Sequence, residues 1–584
     1  MNRKSRRSVL RGAFAYFFAW RATAPASLAA AQDLAAQPSR PFPSRSAIAA
    51  IQKPFAGQRV FLAEPGREGI FTWEASDCRA KVAADPRQGV TIKARDIDPL
   101  YGAWVRVFDI LTPQMFGASG KGDDTEALQG FCNHLDDGLI GEISLRHTVS
   151  SQLLVSDKAH FTLRGRDTAE IRATDGMPVA YGYGLLRFRK CHFFAVRDIL
   201  FDGNRKMRAP VESTAHAVIF QSCSDFTCTR VGCVNSVTDG FYLASATPAE
   251  KSTHCSRFDF IDCRTDNCFR QGCSVIEGNS GRFIGGVYAG SNGTAPSAGI
   301  DLESNGGTPD HAIENIILTG VQFRSNDGYG LQISPMAAPR DIRIIDCLFD
   351  DNGHGAILWG ATSGSILRPK VSGFSNKAVR GAIDIPAGKD VGNVTIADPV
   401  FDRIAATRSN LPLVYVHAAS AGGVTITGMT ANSCATAVIF RARNCKLVDS
   451  PHIRSDRANY NGAIAIAGPN CVISGNHISD FYGVVISADG PGAVIEGNIL
   501  TNPRFNDKDG CIRSSAAGTV IRNNRISRSI AGTGYGIVAL ARPARLEGNS
   551  VSGFSGHPYV LRAGRPIQQP SSTNRADGRA WDNP

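Results

Sequence analysis

Two acidic residues, Asp301 and Glu303, stand two positions apart in the segment Gly299-Ile300-Asp301-Leu302-Glu303. If this segment is a strand, alternation buries the two aliphatic residues and sends both carboxylates to the outer side, roughly 6.5 Å apart along the strand. Two carboxylates on one face can act as general acid and base, or bind a cation such as Ca²⁺ through oxygen ligands. Arg270, one segment earlier, can offset a negative charge bound there. Asp301, Glu303 and Arg270 are therefore the candidate catalytic residues.

Other side chains on the same face could bind a ligand. Alternation places Tyr242, Gln332 and Trp359 on the outer face of their strands, and Asp384 as well, although we expect Asp384 to be solvated surface. Turn residues that precede such strands add further polar groups. The candidate substrate-binding residues are Tyr242, Asn267, Gln271, Gln332, Trp359 and His354. A stripe of amides, hydroxyls and aromatic rings suits an extended sugar chain, because planar polar groups bind hydroxyls and Trp or Tyr covers pyranose faces.

The elements that position these residues are short repeats. Near the C-terminus an aliphatic pair is followed by an asparagine in four similar segments, at Asn476, Asn498, Asn524 and Asn549, with offsets of 22, 26 and 25 residues. Asparagine tolerates the left-handed backbone conformation of a turn, and its amide can bond to the repeats above and below.

A second strand in each repeat begins at glycine, as in Gly240-Phe241-Tyr242-Leu243 and Gly330-Leu331-Gln332-Ile333. Units this short cannot bury their own apolar face, so they must stack into one continuous core. Apolar residues alternate with period two, which favours strands over helical repeats, and no regular leucine frame is present. The repeats therefore predict an all-β solenoid.

The pattern resembles the right-handed parallel β-helix of the pectate-lyase-like superfamily, and that resemblance supplies the handedness. Residues 116–129, Phe-Gly-Ala-Ser-Gly-Lys-Gly-Asp-Asp-Thr-Glu-Ala-Leu-Gln, resemble the opening motif of the superfamily, in which Asp123-Asp124-Thr125 would start a helix that caps the open end. The strands of residues 60–107 look like the small β module that precedes the helix in polysaccharide-depolymerising proteins of bacteria and phages.

The predicted organisation is a signal peptide at 1–31, a linker at 32–58, a small β module at 59–110, a right-handed parallel β-helix with its N-terminal cap at 111–555, and a C-terminal tail at 556–584. The blocks Arg270-Gln271-Gly272, Gly293-Thr294-Ala295-Pro296 and Gly299 to Glu303 resemble a block of β-helix proteins grouped with polysaccharide lyases and hydrolases, with Ser304 where proline is usual. His354 lies in Gly353-His354-Gly355, which superficially resembles a piece of polygalacturonase-type hydrolases, but the companion motifs are missing.

The resemblance implies an exported carbohydrate-active enzyme acting on an acidic or complex polysaccharide. In a lyase, Tyr242, His354 or Arg270 would act on a uronic acid, with no certain cofactor or with Ca²⁺ held by Asp301 and Glu303. In a hydrolase these two acids would flank the scissile bond. Arg270 could instead form a structural salt bridge with Asp301. The alternatives are a noncatalytic polysaccharide-binding or structural β-helix, or a C5-epimerase.

The net charge and the N-terminal segment limit which partners the protein can have. The chain of 584 residues has a net charge of +11, but residues 1–31 contain six Arg or Lys and no Asp or Glu, so the remainder carries 57 − 52 = +5. This mild charge argues against a nucleic-acid partner. The N-terminal segment resembles a twin-arginine export signal, because it contains Arg6-Arg7, then a short apolar stretch, then Ala29-Ala30-Ala31. This resemblance implies the twin-arginine machinery as a partner and a periplasmic or secreted location. No segment is long enough for a membrane span, and the fifteen scattered cysteines suggest core thiols.

Overall fold

The computed structural model describes residues 41–180, 183–209, 215–246, 253–306, 309–374, 380–402, 411–454, 462–504, 510–532, 534–554, 558–561 and 573–580. The predicted export signal lies outside these residues. The chain divides into two compact units, Met1–Val82 with Thr91–Val107, and Ala83–Val90 with Phe108–Pro584. Among the described residues, no helix is long and apolar enough to cross a membrane.

The first unit contains the small antiparallel sheet that the sequence predicts. Its strands, in spatial order, are Arg59–Leu62, Gly69–Glu74, Ala103–Val107 and Thr91–Ile92. Alternation along Gly69–Glu74 buries Phe71 and Trp73, which pack with Trp104 and with Ile48 of the helix Arg45–Ala49. This helix falls in the segment predicted as linker. A 3₁₀ turn, Pro99–Tyr101, and the helix Arg79–Ala84 complete the elements of this part of the sequence.

The second unit is a right-handed parallel β-helix, as predicted. Three strands in succession belong to three different sheets, and each then pairs in parallel with the strand of the same sheet one rung later. We call these sheets 1, 2 and 3 in the order in which the chain meets them. A short extra pair, Gly388–Gly392 with Ser420–Gly422, lies outside them.

Sheet 1 consists of the strands Ile110–Leu111, Ile140–Ile143, Thr162–Gly165, His192–Arg197, Ser224–Thr229, Cys255–Ile261, Gly278–Ile284, Glu314–Thr319, Ile342–Ile345, Gly364–Leu367, Val394–Ala397, Thr425–Thr427, Lys446–Val448, Val472–Ser474, Val494–Glu496, Val520–Arg522 and Arg545–Glu547.

Sheet 2 consists of Arg146–Val149, Glu170–Ala173, Leu200–Asp202, Gly232–Val234, Arg264–Asp266, Val287–Ala289, Gln322–Arg324, Leu348–Asn352, Lys370–Phe374, Val400–Asp402, Thr430–Ala431, His452–Arg454, His477–Ser479, Ile499–Thr501, Arg525–Gly532, Ser550–Phe554, Arg575–Ala576 and the antiparallel Arg579–Ala580.

Sheet 3 consists of Leu153–Ser156, Leu186–Arg189, Val218–Gln221, Phe241–Ala244, Cys273–Val275, Ile300–Leu302, Tyr329–Ile333, Gly355–Trp359, Ile383–Ile385, Pro412–Val416, Thr436–Phe440, Ile464–Ile466, Ile486–Ala488, Ile512–Ser514, Ile537–Ala539 and Tyr559–Leu561. Its last strand and the last strands of sheet 2 continue the β-helix into the segment predicted as tail.

The core is a continuous stack of apolar side chains enclosed by the three sheets. Rings stack from rung to rung, as Phe194 and Phe226 do with centroids 5.2 Å apart. All fifteen cysteines are unpaired and buried, which agrees with their expected role as small apolar fillers.

A short helix, Thr125–Asn133, covers the N-terminal end with Leu128 and Phe131 buried, after the 3₁₀ turn Pro113–Phe116. Asp123 accepts a hydrogen bond from the Thr125 backbone N–H at 3.0 Å. Asp124, at the N-cap position, turns instead to His147, whose Nδ1 lies 2.6 Å from its carboxylate. The predicted capping helix is therefore present.

The repeated asparagines form a buried ladder. Nδ2 of Asn498 donates to Oδ1 of Asn524 at 2.9 Å and to the carbonyl of Ile473 at 2.9 Å, and Oδ1 of Asn498 accepts from Nδ2 of Asn476 at 3.0 Å. The left-handed backbone conformation falls on the residue before each asparagine, for example Gly497 with φ 64°, and not on the asparagine as predicted. From this position each asparagine directs its amide along the stack.

Replacing Asn498 by alanine should lower the free energy of unfolding by about 2–4 kcal/mol, because its buried hydrogen-bond partners lose their amide. Urea denaturation of parent and variant measures the loss. Asn133→Ala, at an exposed helix position, is the control and should change stability by no more than about 0.5 kcal/mol. Equal midpoints for parent and Asn498→Ala would show that the ladder adds nothing to stability.

Candidate functional site

The outer face of sheet 3 carries a column of side chains that are in register from strand to strand. Tyr242, Ser274, Asp301 and Gln332 are Cα partners in four neighbouring strands. Asp301 points away from the core between two buried aliphatic residues, as alternation predicts. However, Asp301 is only 1% exposed and Glu303 is half-buried. The acids therefore belong to a covered polar cluster and not to an open wall.

Stacked glycines bring the turns of this cluster close together. A Cβ on Gly240 would lie 2.5 Å from the carbonyl oxygen of Gly272, and a Cβ on Gly272 would lie 2.5 Å from that of Gly299. These contacts leave no space for a side chain, so a glycine directly precedes each of these strands. The residues just before the glycines, such as Asp239 and Gln271, are consequently stacked in neighbouring rungs.

Asp239 is the centre of the cluster and is fully buried. Arg270 donates to it from Nε at 2.9 Å and from Nη2 at 2.7 Å, and the Ser274 hydroxyl donates at 2.9 Å. The Gln271 backbone N–H donates at 3.2 Å, and Nδ1 of His216 lies 3.1 Å from Oδ2. Burial alone would raise the pKa of Asp239, but the charges and hydrogen bonds of His216 and Arg270 outweigh it and hold the pKa well below its ordinary value. Asp239 is therefore an ionised anchor.

Asp301 and Glu303 form a carboxyl pair. Nε2 of Gln271 donates to Oδ2 of Asp301 at 2.7 Å, while Oδ1 of Asp301 accepts no hydrogen bond from the described residues. Burial and the negative charge of Glu303 raise the pKa of Asp301 well above its ordinary value, although the Gln271 hydrogen bond opposes them. The raised pKa favours the neutral, protonated form of Asp301 beside Glu303.

Tyr242 stacks on His216, with ring centroids 3.9 Å apart and planes 6° from parallel. Burial and the charge of Asp239 raise the pKa of Tyr242 to about 12. The phenol therefore stays protonated at neutral pH and can donate a hydrogen bond to a ligand oxygen.

A second acidic position lies farther along sheet 3. The Tyr329 hydroxyl donates to Oδ2 of Asp384 at 3.1 Å, and the His354 ring packs edge-on against Tyr329 with centroids 5.7 Å apart. Asp384 is buried instead of being solvated surface as predicted, and burial raises its pKa to about 6.

Asp384 should make stability depend on pH with a defined sign. Its folded-state pKa lies above the unfolded value, so its stabilising effect is fully present below about pH 4 and is lost as the pH rises through about 6. We expect Asp384→Asn to exceed the parent at pH 8 by about 1–3 kcal/mol in free energy of unfolding, and to match it near pH 4. Urea denaturation at both pH values tests this. The exposed Asp390→Asn should show no such difference, and a pH-independent offset for Asp384→Asn would contradict the prediction.

Two sequence expectations need correction. Trp359 is fully buried in the core and pairs with Ile333, whereas Leu358 occupies the outer position beside Gln332. The strand Gly355–Trp359 has one more residue after its first glycine than its neighbour, which reverses the alternation that we counted from Gly355. Arg270 pairs with Asp239 and not with Asp301.

The remaining predicted residues are divided between this face and a neighbouring turn. Gln332 is half-buried beside Asp301, and Gln271 contacts Asp301 directly. Asn267 lies in the turn between sheets 2 and 3, where its Oδ1 accepts from Nη1 of Arg205 at 3.1 Å. His216 joins the cluster but is not among the residues predicted from the sequence, although its position two residues before a sheet 3 strand matches that of Asp239.

The comparisons with known proteins reflect the fold alone. No family model and no curated protein matches the chain. Among solved structures, tailspike protein gp49 of the Acinetobacter baumannii bacteriophage Fri1, a capsular polysaccharide depolymerase, is 12% identical over 81% of this chain and 75% of its own, with a TM-score of 0.39.

The N-terminal fragment of bacteriophage Phi29 gene product 12 is 12% identical over 77% of this chain and 91% of its own, with a TM-score of 0.42. The A-module of the Azotobacter vinelandii mannuronan C-5 epimerase AlgE4 is 13% identical over 80% and 99%, with a TM-score of 0.25. No residue role follows from these likenesses. Fold and site together define a parallel β-helix protein with a covered polar cluster on the outer face of one sheet.

Proposed function

We propose that this protein is a carbohydrate-active enzyme that cleaves a polysaccharide on the outer face of sheet 3. The observation that carries the proposal is the Asp301–Glu303 pair, in which a covered acid with a raised pKa lies beside a half-buried one. A carboxyl group that reaches the surface beside a covered carboxyl with a raised pKa is equipped for general acid–base catalysis.

The surroundings of the pair favour an extended, acidic polymer. Strands of sheet 3 repeat about every 4.8 Å, so the polar column offers regularly spaced groups along a long surface. The Arg270 side chain remains 23% exposed while it pairs with Asp239, and its guanidinium can meet a carboxylate of the polymer. Tyr242 keeps its proton and can donate to a sugar oxygen.

Between the two chemistries, the pair favours elimination. Glycoside hydrolases place their two carboxyl groups about 5–5.5 Å or about 6.5–9.5 Å apart on either side of the scissile bond. Glu303 directly follows the strand that carries Asp301, and its charge acts on Asp301, so the two acids act as one unit on one side of a substrate. In a lyase, Glu303 would take the proton next to the uronate carboxylate, and the electrons of that C–H bond would form the double bond as the glycosidic oxygen leaves. Tyr242 is the proposed donor to that oxygen.

The test is a screen of the purified protein against uronate-containing and neutral polysaccharides. We expect chain shortening together with far-ultraviolet absorbance of an unsaturated product. New reducing ends without that absorbance would show that the polymer is cleaved by hydrolysis and not by elimination. Binding without any cleavage across the panel would support a noncatalytic polysaccharide-binding protein and overturn the proposal.

We also propose that the chain is exported through the twin-arginine route. Changing Arg6 and Arg7 to lysine should retain the full-length protein in the cytoplasm, because the arginine pair is the feature by which the signal resembles that route. Fractionation of cells that express parent and double variant measures this. The matched control changes Arg3 and Lys4, which lie outside the pair, and should leave export intact. Export of the double variant at the parent level would contradict the prediction.

A further inference from the structure

We propose that His254, Glu277 and His311 form a binding site for a divalent transition-metal ion of the Zn²⁺ type. The site is separate from the carboxyl pair and is not needed for the function proposed above. It was not apparent from the sequence, because its three residues are spread over 58 positions and match no compact ligand spacing.

The β-helix brings the three residues to one corner. His254 immediately precedes the sheet 1 strand Cys255–Ile261, and Glu277 immediately precedes the next strand, Gly278–Ile284. His311 ends the 3₁₀ turn Pro309–His311, just before the following strand. Three consecutive rungs thus supply one side chain each at the passage from sheet 3 to sheet 1.

The ligand atoms are close enough to share one ion. One ligand atom from each of the three residues lies within 4.8 Å of the other two, and Oε1 of Glu277 is 3.6 Å from Nδ1 of His311. The rings of His254 and His311 have centroids 6.2 Å apart. Because Zn²⁺ binds nitrogen and oxygen at roughly 2.0–2.2 Å, tetrahedral ligands lie about 3.3–3.5 Å apart. Shifts of about 1 Å in the side chains would complete the coordination.

Neighbouring groups hold two of the ligands in place. The Ser245 backbone N–H donates to Oε2 of Glu277 at 2.9 Å, which leaves Oε1 directed at His311. Gly306 allows the His311 ring to approach the backbone, since a Cβ on Gly306 would lie 1.9 Å from Cγ of His311. Fixed outer contacts of this kind orient metal ligands in proteins.

The donor set selects the class of metal. Two imidazole nitrogens and one carboxylate oxygen suit Zn²⁺ and its transition-metal neighbours, whereas Ca²⁺ prefers oxygen ligands throughout. Three protein ligands leave a fourth position open for water or another ligand. The His311 side chain is 20% exposed, so an ion can reach the site from solvent while His254 and Glu277 stay buried.

The competing explanation is a structural ion pair between Glu277 and a protonated His311. A titration distinguishes the metal site from the ion pair. Co²⁺ is added to the untagged full-length protein, which has been freed of metal with a chelator, and visible absorption is recorded. We expect one Co²⁺ per chain with a tetrahedral spectrum, displaced by an equivalent of Zn²⁺. His311→Ala and Glu277→Gln should each weaken binding by at least the roughly 10–100-fold that even outer contacts contribute.

The matched control is His160→Ala, which removes an exposed histidine that stacks on Phe193 elsewhere; its Co²⁺ affinity should equal that of the parent. Circular dichroism of His311→Ala checks that the fold persists, and Glu277→Gln provides an independent variant if it does not. Absence of stoichiometric Co²⁺ binding by the parent, or parent-like binding by both variants, would overturn the proposal. The titration contains no polysaccharide, so its outcome is independent of the proposed cleavage activity.

Discussion

Replacing Glu303 by glutamine should lower turnover of a polysaccharide that the parent cleaves by about 10²–10⁴-fold, the usual contribution of a group that transfers a proton. Glutamine keeps the size and the hydrogen-bonding capacity of the side chain but cannot accept the substrate proton. Because Glu303 is only half-buried, the substitution should leave the thermal midpoint nearly unchanged. Initial rates at saturating polymer measure the effect.

Asp301→Asn provides the informative contrast. Asparagine can accept the hydrogen bond from Gln271 and carries no charge, so it imitates the neutral form of the acid that the raised pKa favours. If Asp301 only positions Glu303, the variant should keep most of its turnover at neutral pH. In the parent, activity should fall as the pH rises and Asp301 loses its proton, whereas the variant should lack this alkaline fall.

The control for both variants is Asp266→Asn, an exposed acid on the sheet 2 strand of the preceding rung, which should retain parent kinetics. If Glu303→Gln has the same turnover as the parent, the carboxyl pair is not part of the catalytic machinery. A loss of turnover in Asp301→Asn as large as that in Glu303→Gln, with no change in the pH profile, would show that Asp301 does more than position its neighbour.

The fold could be predicted from the sequence because each repeat contains the same local pattern. Alternation with period two sets which residues face the core, and the glycine before each sheet 3 strand marks its start. The same glycine rule misplaced Trp359, because Gly355 lies one residue earlier in register than Gly330. A shift of one residue moves a side chain to the opposite face.

The covering of the acids could not be predicted in the same way. Alternation states that Asp301 points away from the core, but its burial depends on what packs over that face from other rungs. Gln271 and the Asp239–Arg270 pair come from earlier rungs, and their contacts with this strand depend on turn geometry. For this reason the sequence could name Asp301, Glu303 and Arg270 only as separate candidates, and the salt bridge that it offered as an alternative for Arg270 named Asp301 in place of Asp239.

Asp239→Asn should be the most destabilising of the substitutions considered. Removal of one partner from a buried ion pair typically costs about 3–5 kcal/mol, because the other charge remains buried without compensation. Here the buried carboxylate satisfies Arg270 with two hydrogen bonds and also contacts Ser274 and His216. The variant should therefore unfold at lower urea concentration, and it should also lose turnover because Arg270 and Tyr242 lose their anchor.

The matched control is Asp225→Asn. Asp225 also receives a two-point hydrogen bond from an arginine, Arg257, at 2.6 and 2.7 Å, but the Arg257 side chain is 60% exposed. Exposed pairs contribute about 0–1 kcal/mol, since water replaces the lost partner. The same two-point contact through Nε and Nη2, with different burial, thus isolates the effect of desolvation. Equal losses of stability in the two variants would contradict our account of Asp239.

The pH dependence supplies an independent check on the same residue. The folded-state pKa of Asp239 lies below its ordinary value, so its contribution to stability is present above about pH 4 and is lost as the pH falls through the folded value. The parent should therefore lose part of its stability in acid, whereas Asp239→Asn, which has no carboxylate to protonate, should lose less over the same range. A variant that is destabilised equally at every pH would place the cause in altered packing and not in the charge that Asp239 provides to Arg270 and His216.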